Sequence, residues 1–280
     1  MISAHTRAIA ILGDPIEHSI TPRIQNVALQ EIGADIVNLA FRVAPEKLEN
    51  AVRGAQSLGF LGLMVTIPHK EAVLPLCDEL HESARVMGAA NLLHFRADGK
   101  IIGHSSDGWA AIKSLEEEGV AVKGRKIAVL GGGGAARSLA LTFALEGAAE
   151  IVVLNRTVSR AQTIAEEVGK FGVRASAGKI SAKMLHDCEI LINATSVGMT
   201  PNIDSTPLEK ALLKPQIAVY DIVYNPLETR LLREAREVGA KAVDGLGMLI
   251  YTNVYAVQVC AGLQISAATM RAEALRALSR

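Results

Sequence analysis

Four consecutive glycines, Gly131, Gly132, Gly133 and Gly134, stand between the apolar run 126–130 and the helix-forming run 135–146. A second apolar run, 150–154, ends in Asn155, Arg156 and Thr157. Strand, glycine turn, helix and strand make one βαβ unit. The glycines fit G-x-G-x-x-A: Gly131 for the tight turn, Gly133 for close approach to a pyrophosphate, Ala136 for packing helix on strand. The first helical turn, opening at Ala135, offers unpaired N–H groups and the positive end of the helix dipole, and both attract phosphate. Glycine runs also serve plain turns. Here a strand precedes, a helix follows, and the second strand comes about 20 residues on, which is the setting a dinucleotide site needs.

The end of the second strand distinguishes the dinucleotides. An NAD site wants an acid there for the ribose hydroxyls; an NADP site wants a cation for the 2′-phosphate. This chain offers Asn155, Arg156 and Thr157, then Arg160 one helical turn later, and no acid before Glu166. Two guanidiniums and a hydroxyl suit a phosphate dianion. The alternative is a helix start with solvated arginines. The missing acid favours NADP, with NAD as the second choice.

A separate cation sits in Thr66-Ile67-Pro68-His69-Lys70, just past the end of the apolar run 62–66. Ligands of open α/β sheets bind at such strand ends. Lys70 is either a charge that chemistry uses or a lysine opening a surface helix. Asp107, in His104-Ser105-Ser106-Asp107-Gly108, opens a helical stretch and alone reads as its N-cap.

These residues need two α/β units to carry them. The chain's 280 residues are enough for two cores. Before the glycine turn, 8–12, 36–41 and 62–66 read as strands. Thr21 caps a helix that begins at Pro22 and runs to about residue 32. Residues 45–57 have a helical period, and 91–96 with 100–103 form a hairpin about Asp98-Gly99. No glycine-rich phosphate loop occurs there, so this unit reads as the one holding the substrate. After the turn come a helix at 157–168, strands at 189–192, 217–220 and 241–243, and a helix at 229–238. Each strand ends in a polar or glycine-bearing turn, among them Thr195, Tyr224 and Gly245, as expected where a cofactor lies along a sheet edge. Met248 stands in the first turn of a helix running to about residue 260, and a last helix covers 266–278. With no strand after them, these two should pack back on the first unit. The expected domains are 1–107 plus 253–280 for substrate and a Rossmann-like, doubly wound 108–252 for the cofactor.

Lys and Arg balance Asp and Glu, 29 each, which removes the usual electrostatic case for nucleic acid. Cys77, Cys188 and Cys260 lack metal spacing, so no metal is expected and the thiols read as structural in a reducing cytoplasm. The N-terminal apolar run is too short for a signal peptide, and no segment has the roughly 18 apolar residues of a membrane span.

The segments GDPIEHSITP, VTIPHK, GAANLLHF, DGKIIGHSSDG, GGGGAAR, NRTVSR, INATSVGM, YNPLETRLL and DGLGMLI follow one another along the chain. By these segments, in that family's order, the chain resembles the shikimate dehydrogenase family over nearly its whole length. The resemblance implies hydride transfer between NADP(H) and the ring carbon that is a ketone in 3-dehydroshikimate and an alcohol in shikimate, with a place in aromatic amino acid biosynthesis. It implies Lys70 and Asp107 as the catalytic pair, Ser19 and Thr21 on the substrate carboxylate, Asn91 on ring hydroxyls, and Thr66, Tyr224 and Thr252 lining the pocket. It implies Gly131 to Ala135, Asn155, Arg156, Thr157, Arg160, Thr195, Gly245 and Met248 on the cofactor. His18 reads as a packed structural histidine and His69 as a solvated one. The partner is a small hydroxy carboxylate, and the chain is a monomer or homodimer.

Three positions depart from the family pattern: Thr21 replaces a serine, Met64 an asparagine and Thr252 a glutamine. Two lost amides matter, because sites built to bond a hydroxyl discriminate through those bonds. A relative acting on quinate or another hydroxylated ring carboxylate, with NADP or NAD, is therefore the competing enzyme reading. A non-catalytic ligand sensor is a third, opposed by intact Lys70 and Asp107.

Overall fold

Alternating apolar runs and amphipathic helices drive the chain into sheets covered by helices on both faces. The structure, a computed structural model, describes residues 2–279. In chain order the first elements are β1 (Arg7–Gly13), α1 (Thr21–Glu31), β2 (Ile36–Arg42), α2 (Leu48–Ser57), β3 (Gly62–Val65), β4 (Glu79–Leu80), α3 (Glu82–Met87), β5 (Leu92–Phe95) and β6 (Ile101–His104). Then come α4 (Asp107–Glu117), β7 (Lys126–Leu130), α5 (Gly134–Leu145), β8 (Glu150–Leu154), α6 (Val158–Gly169), β9 (Arg174–Gly178), β10 (Ile190–Asn193), β11 (Ala218–Asp221), α7 (Arg230–Glu237) and β12 (Lys241–Val243). The last helices are α8 (Leu246–Ala261) and α9 (Ala267–Leu278). The chain divides into two compact units: one runs to Ser106 and resumes at Leu249, the other spans Asp107–Met248.

The first unit's six-stranded sheet has the order β2-β1-β3-β5-β6-β4. β1 runs parallel to β2 and β3, whereas β5 is antiparallel to both β3 and β6. Register assigns its faces, because side chains alternate along a strand. Ala10, Leu12, Leu63 and Val65 join Leu48 and Val52 of α2 in one core. Ile9, Ile11, Asn38, Gly62 and Met64 point to the other side, toward α1 and α8. α9 packs on α1, where Arg23 pairs with Glu273. The C-terminal helices thus return to the first unit, as their sequence position predicts.

The second unit's six strands are all parallel, in the order β12-β11-β10-β7-β8-β9. This is the doubly wound arrangement, with the switch point between β7 and β10. Leu130, Leu154, Asn193 and Asp221 lie across one register line, so the loops after β7, β8, β10 and β11 leave the sheet at one level. No described helix is long and apolar enough to cross a membrane.

Several local readings need correction. The N-cap position of α1 is Ile20, whose carbonyl accepts from Ile24 N, so Thr21 is already helical and makes no capping bond. Asp107 is likewise the first helical residue of α4. Residues 45–47 form a 3₁₀ turn ahead of α2, closed by Lys47 N donating to Ala44 O. β4, α3 and β9 escaped the sequence reading. Two of them are too short to show a period, and β9 (RASAG) is an edge strand without apolar alternation.

A methyl group on Gly62 would meet Leu93 O and Cys260 Sγ, each at 2.5 Å. The β3–β5 ladder and α8 fix both neighbours, so relief requires backbone movement. Gly62→Ala should therefore destabilise the protein by about 1–3 kcal/mol, read as a lower midpoint in urea unfolding at unchanged slope.

Candidate active site

In the first unit, the segments bearing Thr66, Lys70 and Asn91 meet at the carboxyl end of β3. Val65 N donates to Asn91 O at 2.8 Å, and Ala90 N donates to Lys70 O at 2.8 Å. The segment bearing Thr66 and Lys70 is therefore stitched to the one bearing Asn91. Asn91 is buried, and its Oδ1 accepts from Ser106 N at 2.8 Å and Ser106 Oγ at 3.1 Å. Ser106 immediately precedes Asp107 in the chain. Asn91 thus anchors the segment leading to Asp107 as well as the one leading to Lys70. Thr66 Cγ2 packs over Gly13, where an added Cβ would come within 2.6 Å. Lys70 and Thr66 are half-buried, the exposure expected of groups that meet a ligand. On the α1 side, Ser19 Oγ accepts from Thr21 N at 3.3 Å, and Thr21 is buried.

Two histidine expectations are overturned. His69 is buried, with Nε2 2.7 Å from Val43 O, because the turn after Thr66 folds it under the sheet. His18 is exposed, since the loop before α1 turns it outward.

Two departures from the family pattern, Met64 and Thr252, border one set of buried amides. Met64 is buried on the α1-facing side of the sheet, 3.8 Å from Gln25 Nε2 and 3.9 Å from Asn38 Nδ2. Asn38 Nδ2 donates to Gln25 Oε1 at 2.6 Å, Gln25 Nε2 to Asn253 Oδ1 at 3.2 Å, and Asn253 Nδ2 to Leu249 O at 2.8 Å. Thr252 Oγ1 donates to Leu249 O at 2.7 Å. This chain of buried amides, unnoticed in the sequence, supports the thioether from beneath. Its only sequence signal is three amides at positions that face one sheet side.

In the second unit, Gly131 has φ +136°. A Cβ there would lie 3.1 Å from Ala136 Cβ and 3.1 Å from Ala194 O. Only glycine lets the turn pass between its own helix and the loop after β10. Gly132 packs on Asn155 and Arg160, with an ideal Cβ 2.5 Å from Asn155 Nδ2. Gly133 and Gly134 face open space, room that an approaching pyrophosphate would need. Arg156, Thr157 and Arg160 are exposed around the start of α6, where Thr157 occupies the N-cap position but makes no capping bond. An uncapped helix start and two guanidiniums both favour negative charge nearby. Thr195 Oγ1 donates to Asn193 Oδ1 at 2.6 Å, fixing the loop after β10. Burial pushes the Tyr224 phenol upward. Gly245 is locked against β11's loop, a Cβ there falling 2.4 Å from Ile222 O. Met248 is half-buried in α8. No grouping of metal-binding side chains occurs among the described residues.

Residues 11–93 match the family model of the shikimate dehydrogenase substrate-binding domain, and residues 113–244 that of shikimate/quinate 5-dehydrogenase. A shikimate dehydrogenase (NADP(+)) of Methanopyrus kandleri is 45% identical, covering 99% of this chain and 98% of its own length. A crystal structure of a shikimate dehydrogenase in complex with NADP+ superposes with a TM-score of 0.93 at 38% identity, covering 100% of this chain and 98% of the other. A ligand-free 5-ketofructose reductase of Gluconobacter superposes with a TM-score of 0.91 at 33% identity, covering 98% of this chain and 100% of the other.

Below Asn91 lies a cluster of imidazoles. His104 stacks on His81 at 4.8 Å between ring centroids, His94 is 6.5 Å away, and His104 Nδ1 is 3.2 Å from Tyr255 Oη. Burial first, then His81 and His94, lower the His104 pKa to about 4. The unfolded chain therefore binds more protons between that value and about 6.5. Stability should fall as pH drops through this window. In urea titrations at pH 7 and pH 5, His104→Gln should lose less stability on acidification than the parent does. An equal loss would free His104 of the role.

Proposed function

This chain belongs to the shikimate dehydrogenase family, and we propose that it is an NADP-dependent shikimate dehydrogenase whose chemistry runs through Lys70 and Asp107. The observation that carries the residue assignment is the Asn91 anchor, bonded both to the segment of Lys70 and to the residue before Asp107. NADPH supplies the hydride; the protein supplies position and electrostatics.

As the ring ketone is reduced, its oxygen gains negative charge. Lys70 places a cation there and delivers the proton, while the Asp107 carboxylate orients it. In the oxidation direction the same pair takes the hydroxyl proton. Ser19 and Thr21 hydroxyls bind the ring carboxylate, Asn91 binds ring hydroxyls, and Thr66, Tyr224 and Thr252 shape the pocket. The glycine turn, Gly131 to Gly134 with Ala135, receives the pyrophosphate. Arg156, Thr157 and Arg160 hold the 2′-phosphate, with Asn155, Thr195, Gly245 and Met248 completing the cofactor side. The open space at Gly133 and the uncapped start of α6 fit this group.

Met64 and Thr252 support a second reading for the ring. A thioether and a hydroxyl already bonded to Leu249 O replace two amides, which favours a relative such as quinate carrying its hydroxyls elsewhere. Oxidation of shikimate and quinate with NADP+ and NAD+, followed at the nicotinamide absorbance, tests both readings. Shikimate with NADP+ should give the highest kcat/KM. Faster quinate oxidation would hand the assignment to the second reading, and no turnover of either would sink both.

Lys70→Ala should lower kcat by about 10²- to 10⁴-fold while leaving NADPH affinity nearly intact. Near-parental rates would reject the catalytic assignment. Arg156→Ala removes a charge-assisted contact of roughly 1.5–3 kcal/mol, so NADP+ should weaken by about tenfold or more while NAD+ is nearly unaffected. A matched loss for both cofactors would reject the phosphate role.

A further inference from the structure

Asp221 ends β11, fully buried, with its carboxyl pushed up to about 6 by that burial. A buried carboxylate needs partners, and this one gathers them from three segments. Its Oδ1 accepts from Asn193 Nδ2 at 2.9 Å and from Val223 N at 3.1 Å. Its Oδ2 accepts from Thr229 Oγ1 at 2.7 Å, and Thr229 in turn caps α7 by accepting from Leu232 N. Asn193 extends the chain of bonds: its Oδ1 accepts from Thr195 N and Oγ1, and its Nδ2 also donates to Val197 O at 3.2 Å.

Tyr224 sits inside this frame. The residue before it, Val223, is bonded to Asp221. The residue after it, Asn225, accepts at its carbonyl from Thr200 N at 3.0 Å and at Oδ1 from Thr200 Oγ1 at 3.2 Å. Tyr224 is thus pinned on one side to Asp221 and on the other to the loop carrying Thr195. Gly245 presses on the carbonyls of Ile222 and Val223 from the next loop, where no side chain would fit.

We propose that Asp221 is a positioning residue of the reaction: its carboxylate sets the substrate-side Tyr224 and the cofactor-side Thr195 in one fixed register. The inference rests on the roles given above to those two residues. Neither oxygen of Asp221 reaches a ligand in this scheme. It acts through the backbone it holds.

The bonding pattern says which replacement should work. In Asp221→Asn, the amide oxygen still accepts from Asn193 and Val223. The amide N–H donates to Thr229 Oγ1, which has a lone pair beyond the one that Leu232 N uses. Asp221→Ala loses every link. Asn193→Ser is too short to bridge, so it cuts the frame on the cofactor side and carries the test even where Asp221→Ala folds poorly. Thr229→Val removes only the tie to α7 and serves as the stability control.

The measurements are NADPH affinity by its fluorescence, KM and kcat with shikimate, and the thermal midpoint. Asp221→Ala and Asn193→Ser should each weaken NADPH and raise the shikimate KM by about tenfold, with kcat falling much less. Asp221→Asn should stay within about twofold of the parent, and Thr229→Val should lower the thermal midpoint alone. Parental affinity and KM in folded Asp221→Ala or Asn193→Ser would overturn the proposal. So would a loss in Thr229→Val or Asp221→Asn as large as that in Asp221→Ala. A parent that binds NADPH yet leaves shikimate untouched rejects the substrate assignment, and NADPH affinity then decides the Asp221 role alone.

Discussion

Two loops leave neighbouring parallel strands, β7 and β10, at one level, and the space between them is a single van der Waals contact wide. A methyl on Gly131 would stand 3.1 Å from the Ala194 carbonyl oxygen on one side and from the Ala136 methyl on the other. Sheet topology creates this constraint. The chain winds outward from β7 in both directions, so the connections diverge and open a crevice at that point. Everything proposed for the cofactor depends on the turn staying narrow. Gly132 lets Asn155 and Arg160 come in against it, and the edge at Gly133 stays open. Helix α5 then starts from an extended Gly133 with its first N–H groups aimed at the same place.

The first unit solves a different problem with backbone bonds. β3 is short, and its end carries the residues with most chemistry. The antiparallel β5 and β6 hold that end in place through Asn91, whose backbone pairs with Val65 and His104 while its amide oxygen takes two bonds from Ser106. One buried side chain thereby relates two segments that are distant in sequence. A similar economy governs the opposite side of the sheet, where Asn38, Gln25 and Asn253 hydrogen-bond one another beneath Met64. Buried amides left alone would be strongly destabilising; joined in series they are nearly neutral and define one packing arrangement.

The two units treat buried ionisable groups in the same way. His104 and Asp221 both sit where burial disfavours charge, the first lowered to about 4 and the second raised to about 6. Both lie beneath loops that bear candidate site residues. Surface pairs such as Lys113 with Glu116 are exposed by contrast, and such pairs contribute little to stability.

Much of this protein was open to reading from its residues. The apolar runs 126–130 and 150–154, the glycine turn and the missing acid after Leu154 are local patterns, and local patterns dictate strands, turns and phosphate-facing helix starts. The motif order carried the family. What stayed hidden was whatever depends on contacts between distant segments. β9 is held by pairing with β8 and packing on α6, and its own sequence shows no strand period. His69 read as solvated, yet a turn folds it against Val43. Asp221 takes donors from positions 193, 223 and 229, and the parallel pairing of β10 with β11 is what brings Asn193 to its carboxylate. Sequence by itself determined the element types and the chemistry on offer, because both are properties of short stretches. Tertiary structure alone decided which of those groups share a hydrogen bond, because that depends on the register between strands that the sequence keeps apart.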